Sequence, residues 1–382
     1  MIEFPEKKYY TVIMKCIFGG AFDPPHTEHI RIAEEIQKEF AFEDVVFLPS
    51  GNSPHKSLDT LFSLRMEMLH AAVVDRYPID PIESTFPERA YSYKVLPLLR
   101  EKYGEIAFLI GGDSLLAFDK WRHPEEIMKI CPLVVVPRGD EDISELRAAI
   151  ADYTTRWRGK ILLSERVRGE AISSTMIRAK CALGMDVPEI VPAVKTLIES
   201  NSLYREYDDY VSRVKGMLRE KRWIHTCGVV LAGLRINERV GLPFEKVFLG
   251  CLLHDCMKHS ERINPGVPAD VIGTKVLHAF NGAEEAKTAF GITDEEIIDS
   301  IRYHTTGRAG MTALDKLVYT ADMVEELTRD FEGVAELRAA AYRDLNEGFL
   351  RCFEVCYASL LERQIPIYHL TLECYDQYCK KE

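Results

Sequence analysis

Two glycines and two histidines lie close together near the start of the chain, in Ile17-Phe-Gly-Gly-Ala-Phe-Asp-Pro-Pro-His-Thr-Glu-His29. A short apolar run ends at Gly19-Gly20, and a helical pattern follows from Thr27 to Phe40. Glycines let backbone N–H groups approach an anion, and a helix N-terminus adds partial positive charge. His26 and His29 are predicted to face that anion. The stretch therefore predicts a phosphate-binding turn, with an ordinary βα turn carrying surface histidines as the alternative.

A second group of phosphate-binding residue types lies much later, in Ile172-Ser-Ser-Thr-Met-Ile-Arg178. The hydroxyl residues Ser173, Ser174 and Thr175 open a helix predicted over 173–183, and Arg178 lies one turn inside it. Hydroxyl groups, the free N–H groups of a helix start and a guanidinium all bind phosphate oxygens. The first half of the chain thus carries two predicted phosphate-binding motifs.

Histidine and aspartate dominate the chemistry of the second half. Each member of this set lies in or beside one of several successive predicted helices: His225, the pair His254-Asp255, His278, His304 and Asp322. Imidazole and carboxylate ligands that converge inside a helical bundle suit iron, manganese or zinc. Two such ions side by side make hydroxide from water and hold a phosphate group. A single one of these histidines would be more typical of a packed or surface residue, so the prediction depends on the whole set.

The elements of the first half alternate between strands and helices. Strands are predicted at 16–18, 44–48, 105–110, 132–136 and 160–163, and helices at 27–40, 61–75, 92–103, 173–183 and 187–200. This alternation predicts an α/β domain with a doubly wound parallel sheet, in which ligands bind beyond the carboxyl ends of the strands. The phosphate-binding motifs fall at such ends.

The second half has no strand-like alternation. Helices are predicted at 208–220, 223–240, 244–258, 280–290, 294–303, 313–328 and 334–362. The pattern predicts an all-α domain. We place the boundary near residue 205, which gives domains of residues 14–204 and 205–382.

Composition excludes several classes of partner. The chain of 382 residues has 48 basic and 60 acidic residues and a net charge of −12, which argues against nucleic acid as the main partner. It has no apolar run of about 18 residues and no signal-peptide pattern at its start, so we expect a soluble, cytoplasmic protein that does not enter a membrane. The tail 365–382 carries Tyr368 and Leu372, enough apolar surface to pack on its own chain or on a second copy. The sequence therefore leaves open whether the protein forms a homo-oligomer.

The first half resembles the nucleotidyltransferases that join a nucleoside monophosphate to ATP. The resemblance rests on Gly-Gly-x-Phe-Asp-Pro-x-His-x-x-His and Ile-Ser-Ser-Thr-x-Ile-Arg, together with Leu48-Pro-Ser-Gly-Asn-Ser-Pro-His-Lys56 and Phe108-Leu-Ile-Gly-Gly-Asp-Ser114 followed by Trp121. It covers roughly residues 15–204 and looks like bacterial nicotinate-nucleotide adenylyltransferase. It implies that AMP passes from ATP, with Mg²⁺, to nicotinate mononucleotide, giving deamido-NAD and pyrophosphate.

The resemblance also implies roles for individual residues. The turn residues Gly19, Gly20, Phe22 and Asp23 belong to the nucleotide site. His26 and His29 bind the nucleotide phosphates, with His29 nearer the charge that develops, and Lys56, Arg178 and the Ser173-Ser174-Thr175 helix start hold the remaining oxygens. Asp113 binds ribose hydroxyls or, alternatively, caps a helix. Trp121 stacks on the pyridine ring or, alternatively, belongs to the core.

Two positions depart from the family pattern. Glu28 stands where the family usually has glycine, so a bulky anion lies near the phosphate turn unless its side chain points to solvent. In Tyr91-Ser-Tyr-Lys-Val-Leu-Pro97, Lys94 and Pro97 replace hydroxyl-bearing residues beside the expected pyridine site. An adenylyltransferase for another mononucleotide or phosphate ester therefore remains the alternative.

The second half resembles the HD phosphohydrolases, and most of all the symmetrical diadenosine tetraphosphate hydrolases. The segments that carry the resemblance are His225, Leu252-Leu-His-Asp-Cys-Met-Lys258, Leu277-His-Ala-Phe-Asn-Gly-Ala283, Tyr303-His-Thr-Thr-Gly307 and Thr320-Ala-Asp322. It implies two divalent metals, iron or else manganese or zinc, held by His225, His254, Asp255, His278, His304 and Asp322.

By the same resemblance Asp255 bridges the two metals, and a dinucleoside polyphosphate is cleaved to ADP. Lys258 reaches a phosphate or is a solvated surface lysine. Arg308 is a weaker phosphate candidate. The alternative is that this half is a nucleotide-binding regulatory module.

Overall fold

The computed structural model describes residues 13–51, 60–139, 142–169 and 172–380. The chain divides into two compact units. The first contains Met1–Ile177 and Val187–Leu203, and the second contains Arg178–Asp186 and Tyr204–Glu382. Within the described ranges, no helix is both long enough and apolar enough to cross a bilayer.

The first unit is built on a five-stranded parallel sheet in the order β2-β1-β3-β4-β5. The strands are β1 (Lys15–Gly20), β2 (Asp44–Pro49), β3 (Ile106–Gly111), β4 (Leu133–Val136) and β5 (Ile161–Leu163). The predicted doubly wound α/β fold is confirmed. Gly20 pairs with Pro49, so the glycine turn leaves the sheet beside the end of β2.

Eight helices accompany the described strands: α1 (Thr27–Phe40), α2 (Phe62–Val73), α3 (Ser92–Tyr103), α4 (Gly112–Leu116), α5 (Pro124–Ile130), α6 (Ile143–Trp157), α7 (Ser174–Ala182) and α8 (Pro192–Ser200). The predicted bounds of α1 and α3 agree with the structure. Helices α4, α5 and α6 are not among those predicted. The division between the units falls inside α7, because Ile177 belongs to the first unit and Arg178 to the second.

The core of the first unit packs the sheet against α3, α5 and α6. Its buried side chains include Ile17 and Phe108 from the sheet, Leu96 from α3, Ile127 from α5 and Leu146 from α6. Each such apolar side chain contributes about 1.5–3 kcal/mol by leaving water. This core fixes the edge at which the strands end, and therefore the position of the loops that follow them.

Beyond Leu203, the described residues of the second unit form helices joined by turns and loops, without a strand. Its helices are α9 (Asp208–Met217), α10 (Glu220–Val240), α11 (Phe244–Leu253), α12 (Leu277–Thr288), α13 (Glu295–Tyr303), α14 (Ala313–Val324), α15 (Val334–Arg343), α16 (Leu345–Glu362) and α17 (His369–Tyr378). The predicted all-α character is confirmed.

The single helix predicted over 334–362 is wrong. The chain forms α15 and α16, with Asp344 between them in an extended conformation, φ −147° and ψ 123°. The Asp344 carboxylate accepts the backbone N–H of Glu347 at 2.8 Å, which caps the start of α16. Aspartate competes for backbone N–H groups in this way, so it favours a new helix start over continuation.

Candidate active sites

Phe22 anchors the turn that follows β1. Its backbone has φ 49°, in the left-handed region that non-glycine residues rarely adopt. Its ring is 1% exposed and lies 5.3 Å from the ring of Phe47 and 5.0 Å from that of His29, between centroids. A Cβ at Gly20 would lie 2.9 Å from the same ring, so glycine is needed there. Aromatic packing therefore holds the turn in its unusual conformation.

His26 and His29 form a stacked pair at the start of α1. The ring centroids are 3.6 Å apart, and His29 Nδ1 accepts the backbone N–H of His26 at 3.1 Å. Burial, aided by the charge of Arg138, lowers the pKa of His26 to about 3. Burial, His26 and Arg138 also hold the pKa of His29 well below its usual value. Both rings are therefore neutral near pH 7 before any anion binds, and an arriving phosphate would raise both pKa values.

The two predicted phosphate-binding motifs meet in the structure. Ser174 Oγ donates to the carbonyl of Pro24 at 2.9 Å, and Ser173 Oγ accepts the backbone N–H of Met176 at 3.3 Å. The start of α7 therefore lies against the turn that leads into α1. Thr175 follows within α7, half-buried, and Arg178 lies one turn further along, in the segment grouped with the second unit.

Glu28 does not point to solvent. Its side chain is buried and pairs with Arg31, whose Nη2 lies 2.5 Å from Oε1. Arg31 also pairs with Glu35 at 2.7 Å and donates to the carbonyl of Arg168 at 2.5 Å. The carboxylate that replaces the family's glycine is thus neutralised by a cation one turn away on the same helix.

Asp113 and Arg138 lie at the carboxyl ends of neighbouring strands. The Asp113 side chain is 56% exposed; its Oδ1 accepts the backbone N–H of Ser114 at 2.8 Å, and its Oδ2 lies 3.9 Å from Arg138 Nη1. The N-cap of α4 is Gly111, so Asp113 lies in the first turn of that helix and does not cap it. Arg138 was not among the predicted residues. Its position directly beyond β4, at the ligand-binding edge of a parallel sheet, is the signal that points to it.

Trp121 is half-buried, with its ring centroid 5.3 Å from that of Phe118 and 6.4 Å from that of Phe108. It therefore packs on the edge of the core. Lys94 and Pro97 are both exposed on α3, and Lys94 Nζ lies 5.9 Å from the centroid of the Tyr93 ring. Lys56 lies outside the described residues.

In the second unit, three histidines surround Asp255. The carboxylate is 1% exposed and follows the end of α11. Its Oδ1 lies 3.2 Å from His278 Nε2 and 3.6 Å from His304 Nε2, and its Oδ2 lies 3.6 Å from His254 Nε2. His278 comes from the start of α12 and His304 from the end of α13.

The remaining two residues of the predicted set lie beside this group. His225, on α10, has its Nε2 2.9 Å from Oδ1 of Asp322, on α14. The ligand atoms of His225, His254 and Asp322 all lie within 4.8 Å of one another, and so do those of His254, Asp255 and His304. His254 is common to both sets. The structure therefore brings all six predicted residues into one cluster.

Each imidazole is oriented by a hydrogen bond at Nδ1. His254 Nδ1 donates to the carbonyl of Cys251 at 2.7 Å, His278 Nδ1 to that of Lys275 at 2.9 Å, and His304 Nδ1 to that of Ile301 at 2.7 Å. A carbonyl only accepts, so the proton lies on Nδ1 and the Nε2 lone pair faces the cluster. This arrangement is typical of metal-binding histidines.

The cluster fits a divalent cation. Among the described residues, the buried atoms His225 Nε2, His254 Nε2 and Asp255 Oδ1 lie close to oppositely charged groups but form no well-aligned hydrogen bond with them. Leaving such atoms unsatisfied inside a protein is costly, and a cation would satisfy all three. Burial alone would raise the pKa of Asp255, but His254, His304 and Lys258 outweigh it and hold the pKa well below its usual value. The donors are the nitrogen and oxygen atoms that iron, manganese and zinc accept.

Three cationic side chains surround the carboxylates. Arg222 Nη1 lies 2.9 Å from Asp255 Oδ2, and Arg329 Nη2 lies 2.6 Å from Asp322 Oδ1. Lys258 Nζ lies 3.5 Å from Asp255 Oδ1. Lys258 was predicted; Arg222 and Arg329 were not. Arg222 precedes His225 by three residues on α10, and residues with this spacing share a helix face.

Glu325 is a further residue that sequence reasoning missed. It is fully buried just beyond α14, and its Oε1 lies 3.1 Å from His225 Nδ1. It also accepts the backbone N–H groups of Leu327 and Thr328. A Cβ at Gly228, one turn after His225, would collide with Glu325 Oε2. Glycine at this position therefore makes room for the carboxylate that orients His225.

Arg308, predicted to bind phosphate, forms two ion pairs within the second unit. Its guanidinium lies 3.0 Å from Asp299 and 2.8 Å from Asp315, both outside the six-residue cluster. These ion pairs compete with the predicted phosphate contact.

Comparison with known proteins defines the class of each half. Residues 17–180 match the cytidylyltransferase-like family, and residues 222–327 match the HD domain. The protein thus joins a nucleotidyltransferase to an HD domain, as the sequence motifs predict.

Individual relatives narrow this class. The chain is 33% identical over 178 residues to the symmetrical bis(5'-nucleosyl)-tetraphosphatase of Bacillus subtilis, across 44% of this chain and 95% of that protein. It is 31% identical over 215 residues to a probable nicotinate-nucleotide adenylyltransferase of Geobacter sulfurreducens, across 49% of this chain and 96% of that protein.

A third relative matches both halves together. It is the probable nicotinate-nucleotide adenylyltransferase/Ap4A hydrolase of Mycoplasma genitalium, 26% identical over 327 residues, 81% of this chain and 86% of that protein. Through its two halves, the chain belongs to the nicotinate-nucleotide adenylyltransferase family and to the symmetrical bis(5'-nucleosyl)-tetraphosphatase family.

Proposed function

We propose that the protein is a bifunctional enzyme. Residues 14–204 transfer AMP from ATP to nicotinate mononucleotide, giving deamido-NAD and pyrophosphate. Residues 205–382 hydrolyse diadenosine tetraphosphate to two ADP. The observation that carries the proposal is that one chain spans nearly the whole length of a relative from each family.

In the transferase reaction, a phosphate oxygen of the acceptor attacks the α-phosphorus of MgATP and pyrophosphate leaves. The protein needs to position the two phosphates and to stabilise the charge on the leaving group. His29 Nδ1 already accepts a backbone N–H, so its proton is on Nε2, which donates to a phosphate oxygen. Lys56, Arg178 and the Ser173-Ser174-Thr175 helix start hold the other phosphate oxygens.

The remaining residues of this site bind the nucleotides. Gly19, Gly20 and Asp23 shape the turn around the phosphates, and Phe22 holds it in place. Asp113, exposed beside Arg138, binds ribose hydroxyls. Trp121, at the edge of the core, packs against the pyridine ring of the acceptor.

In the hydrolase, His225, His254, Asp255, His278, His304 and Asp322 hold two divalent cations, iron or else manganese or zinc. When bound, these ions supply an activated water and neutralise phosphate charge. The protein fixes the direction of each imidazole through its Nδ1 hydrogen bond. Lys258 and Arg222 place positive charge beside Asp255, where we propose they bind the polyphosphate. Water adds at the central phosphoric anhydride, and one ADP leaves with the bridging oxygen.

Product analysis tests both activities. The whole protein is incubated with MgATP and nicotinate mononucleotide, and separately with diadenosine tetraphosphate and Fe²⁺ or Mn²⁺. We expect deamido-NAD and pyrophosphate in the first reaction and ADP as the sole nucleotide product in the second. No deamido-NAD would contradict the assignment of the first half, and products other than ADP would contradict that of the second.

A further inference from the structure

Arg65, on α2, is a charged side chain in the interior of the first unit. It is only 2% exposed and heads the fully buried side chains by size among the residues that the structure describes. A guanidinium is rarely buried unless its donors are satisfied, because removing it from water is costly. Nη1 donates to the carbonyl of Ala21 at 2.8 Å and Nη2 to that of Ser50 at 2.7 Å. Nε donates to the carbonyl of Thr60 at 3.4 Å.

The three carbonyls belong to three segments around the proposed nucleotide site. Ala21 lies in the turn between β1 and His26, Ser50 directly follows β2, and Thr60 follows residues 52–59. Ser50 and Thr60 therefore flank the stretch that contains Lys56. The planar guanidinium holds these segments at a fixed spacing, because its donors point in fixed directions.

Ser50 and Gly51 have further backbone contacts of their own. The backbone N–H of Gly51 donates to Glu83 Oε2 at 3.1 Å, and that of Ser50 donates to the carbonyl of Gly20 at 2.8 Å. A Cβ at Gly51 would collide with the backbone carbonyl of Glu83. The close approach therefore requires glycine at position 51.

We infer that Arg65 is a positioning residue of the adenylyltransferase, which sets the spacing between Ala21 in the phosphate turn and the residues Ser50 and Thr60. It acts through three backbone carbonyls. The inference rests on the proposed transferase function. Lysine keeps the charge of Arg65 but lacks the fork of donors, and methionine keeps much of the volume but neither the charge nor the donors.

The test compares Arg65→Met and Arg65→Lys with a control, Arg76→Lys. Arg76 is 51% exposed and pairs with Glu34 on the surface. For each full-length variant we would measure kcat and KM of adenylyl transfer, the far-UV circular dichroism spectrum, and diadenosine tetraphosphate hydrolysis by the same chain. The hydrolase rate serves as an internal measure of the amount of intact protein.

Arg65→Met is expected to lower the kcat of adenylyl transfer about 100-fold, since a displacement of about 1 Å in a positioning group has an effect of this size. Arg65→Lys should recover part of this loss, and Arg76→Lys should match the parent. Hydrolysis and the spectrum should be unchanged in all three. If Arg65→Met does not fold, a folded Arg65→Lys with a lowered kcat supports the inference.

The positioning role would be overturned if folded Arg65→Met had transfer kcat and KM within about twofold of the parent. If Arg65→Met does not fold, the same result for folded Arg65→Lys would overturn it. A parent protein that makes no deamido-NAD would instead remove the proposed transferase function. The two failures are therefore distinguishable.

Discussion

The two candidate sites of this chain are prepared for ligands of opposite charge. At the phosphate turn, burial keeps His26 and His29 neutral, and Arg138 lies close enough to lower both pKa values further. In the HD cluster, buried Asp255 and half-buried Asp322 stay ionised, because histidines and cationic side chains outweigh the effect of burial on their pKa. The first site is suited to bind an anion and the second a cation.

The sites also differ in what holds them in place. The first is shaped by backbone segments that leave the sheet edge, and its histidine pair is fixed by a backbone N–H. The second is made of side chains from several helices, with the Nδ1 atoms of three histidines tied to carbonyls. We therefore expect single side-chain changes to have larger effects on ligand retention in the second site than in the first.

The largest effect is expected from Asp255→Ala. Removing the carboxylate at the centre of the histidines should abolish metal retention and lower diadenosine tetraphosphate hydrolysis by about 10³-fold or more. Adenylyl transfer should be unchanged. Metal analysis of the purified protein and a hydrolysis assay check this, with the exposed Asp330→Ala as control. An Asp255→Ala protein that keeps its metal and full hydrolase activity would show that the assignment is wrong.

His29→Ala is expected to have the next largest effect. Losing the Nε2 donor should lower the kcat of adenylyl transfer about 10²- to 10³-fold, as for loss of one donor to developing charge. Hydrolysis should continue at the parent rate. The matched control is His70→Ala, an exposed histidine on α2. Equal transfer rates in both variants would contradict a role for His29.

Glu325→Gln tests how the HD cluster orients the imidazole of His225. Removing the negative charge beside His225 Nδ1 should weaken metal affinity about 10- to 100-fold, the usual effect of losing a carboxylate that orients a ligating histidine. Gly228→Ala should act in the same direction, because its methyl group would displace Glu325. A chelator competition titration measures the affinity without reference to activity.

The control for that titration is Glu326→Gln. Glu326 is the adjacent residue, half exposed, and pairs with Arg235 on the surface. If the Glu325→Gln and Glu326→Gln variants bind the metal with equal affinity, Glu325 does not orient His225.

The smallest effect concerns the pH dependence of stability in the first unit. His26 has a folded pKa of about 3, below its ordinary value of about 6.5, so the unfolded chain binds a proton first as the pH falls. The stability contributed by the neutral ring is present above about pH 6.5 and is lost between pH 6.5 and 3. From pH 7 to pH 5 the loss is about 2 kcal/mol.

His26→Gln should remove this part of the acid sensitivity. Calorimetric unfolding of the parent and the variant at pH 7 and pH 5 measures it, with His70→Gln as the control because that residue is exposed. If the unfolding free energies of parent and His26→Gln change equally with pH, the buried neutral state of His26 is contradicted.

The sequence predicts elements whose signals are local. The helices α1 and α3 have clear turns before them and regular apolar spacing, and their bounds agree with the structure. The break at Asp344 was missed, because the apolar spacing continues across it while the carboxylate caps a new helix. The pair of buried Glu28 and half-buried Arg31 was not predicted, although it is local, since the two residues are one helical turn apart.

Features that depend on distant packing could not be predicted. Glu325 and Arg65 have no recognisable spacing in the sequence, and their roles follow only from buried contacts with His225 and with three separate carbonyls. Motif spacing indicated which residues belong to the HD cluster, but Arg222 and Arg329, which lie against its carboxylates, became visible only in the structure. The roles of the predicted site residues stay predictions until the variants above are measured.

The most direct test of the central claim, two separate active sites in one chain, is a product assay of reciprocal variants. Unmodified protein, His29→Ala and Asp255→Ala are each given both sets of substrates, and the products are resolved by chromatography. We predict deamido-NAD and ADP from the unmodified protein, deamido-NAD formation slowed about 10²- to 10³-fold in the first variant with normal ADP formation, and ADP formation slowed about 10³-fold or more in the second with normal deamido-NAD formation. A folded variant that loses both products, or an unmodified protein that makes only one, would contradict the account.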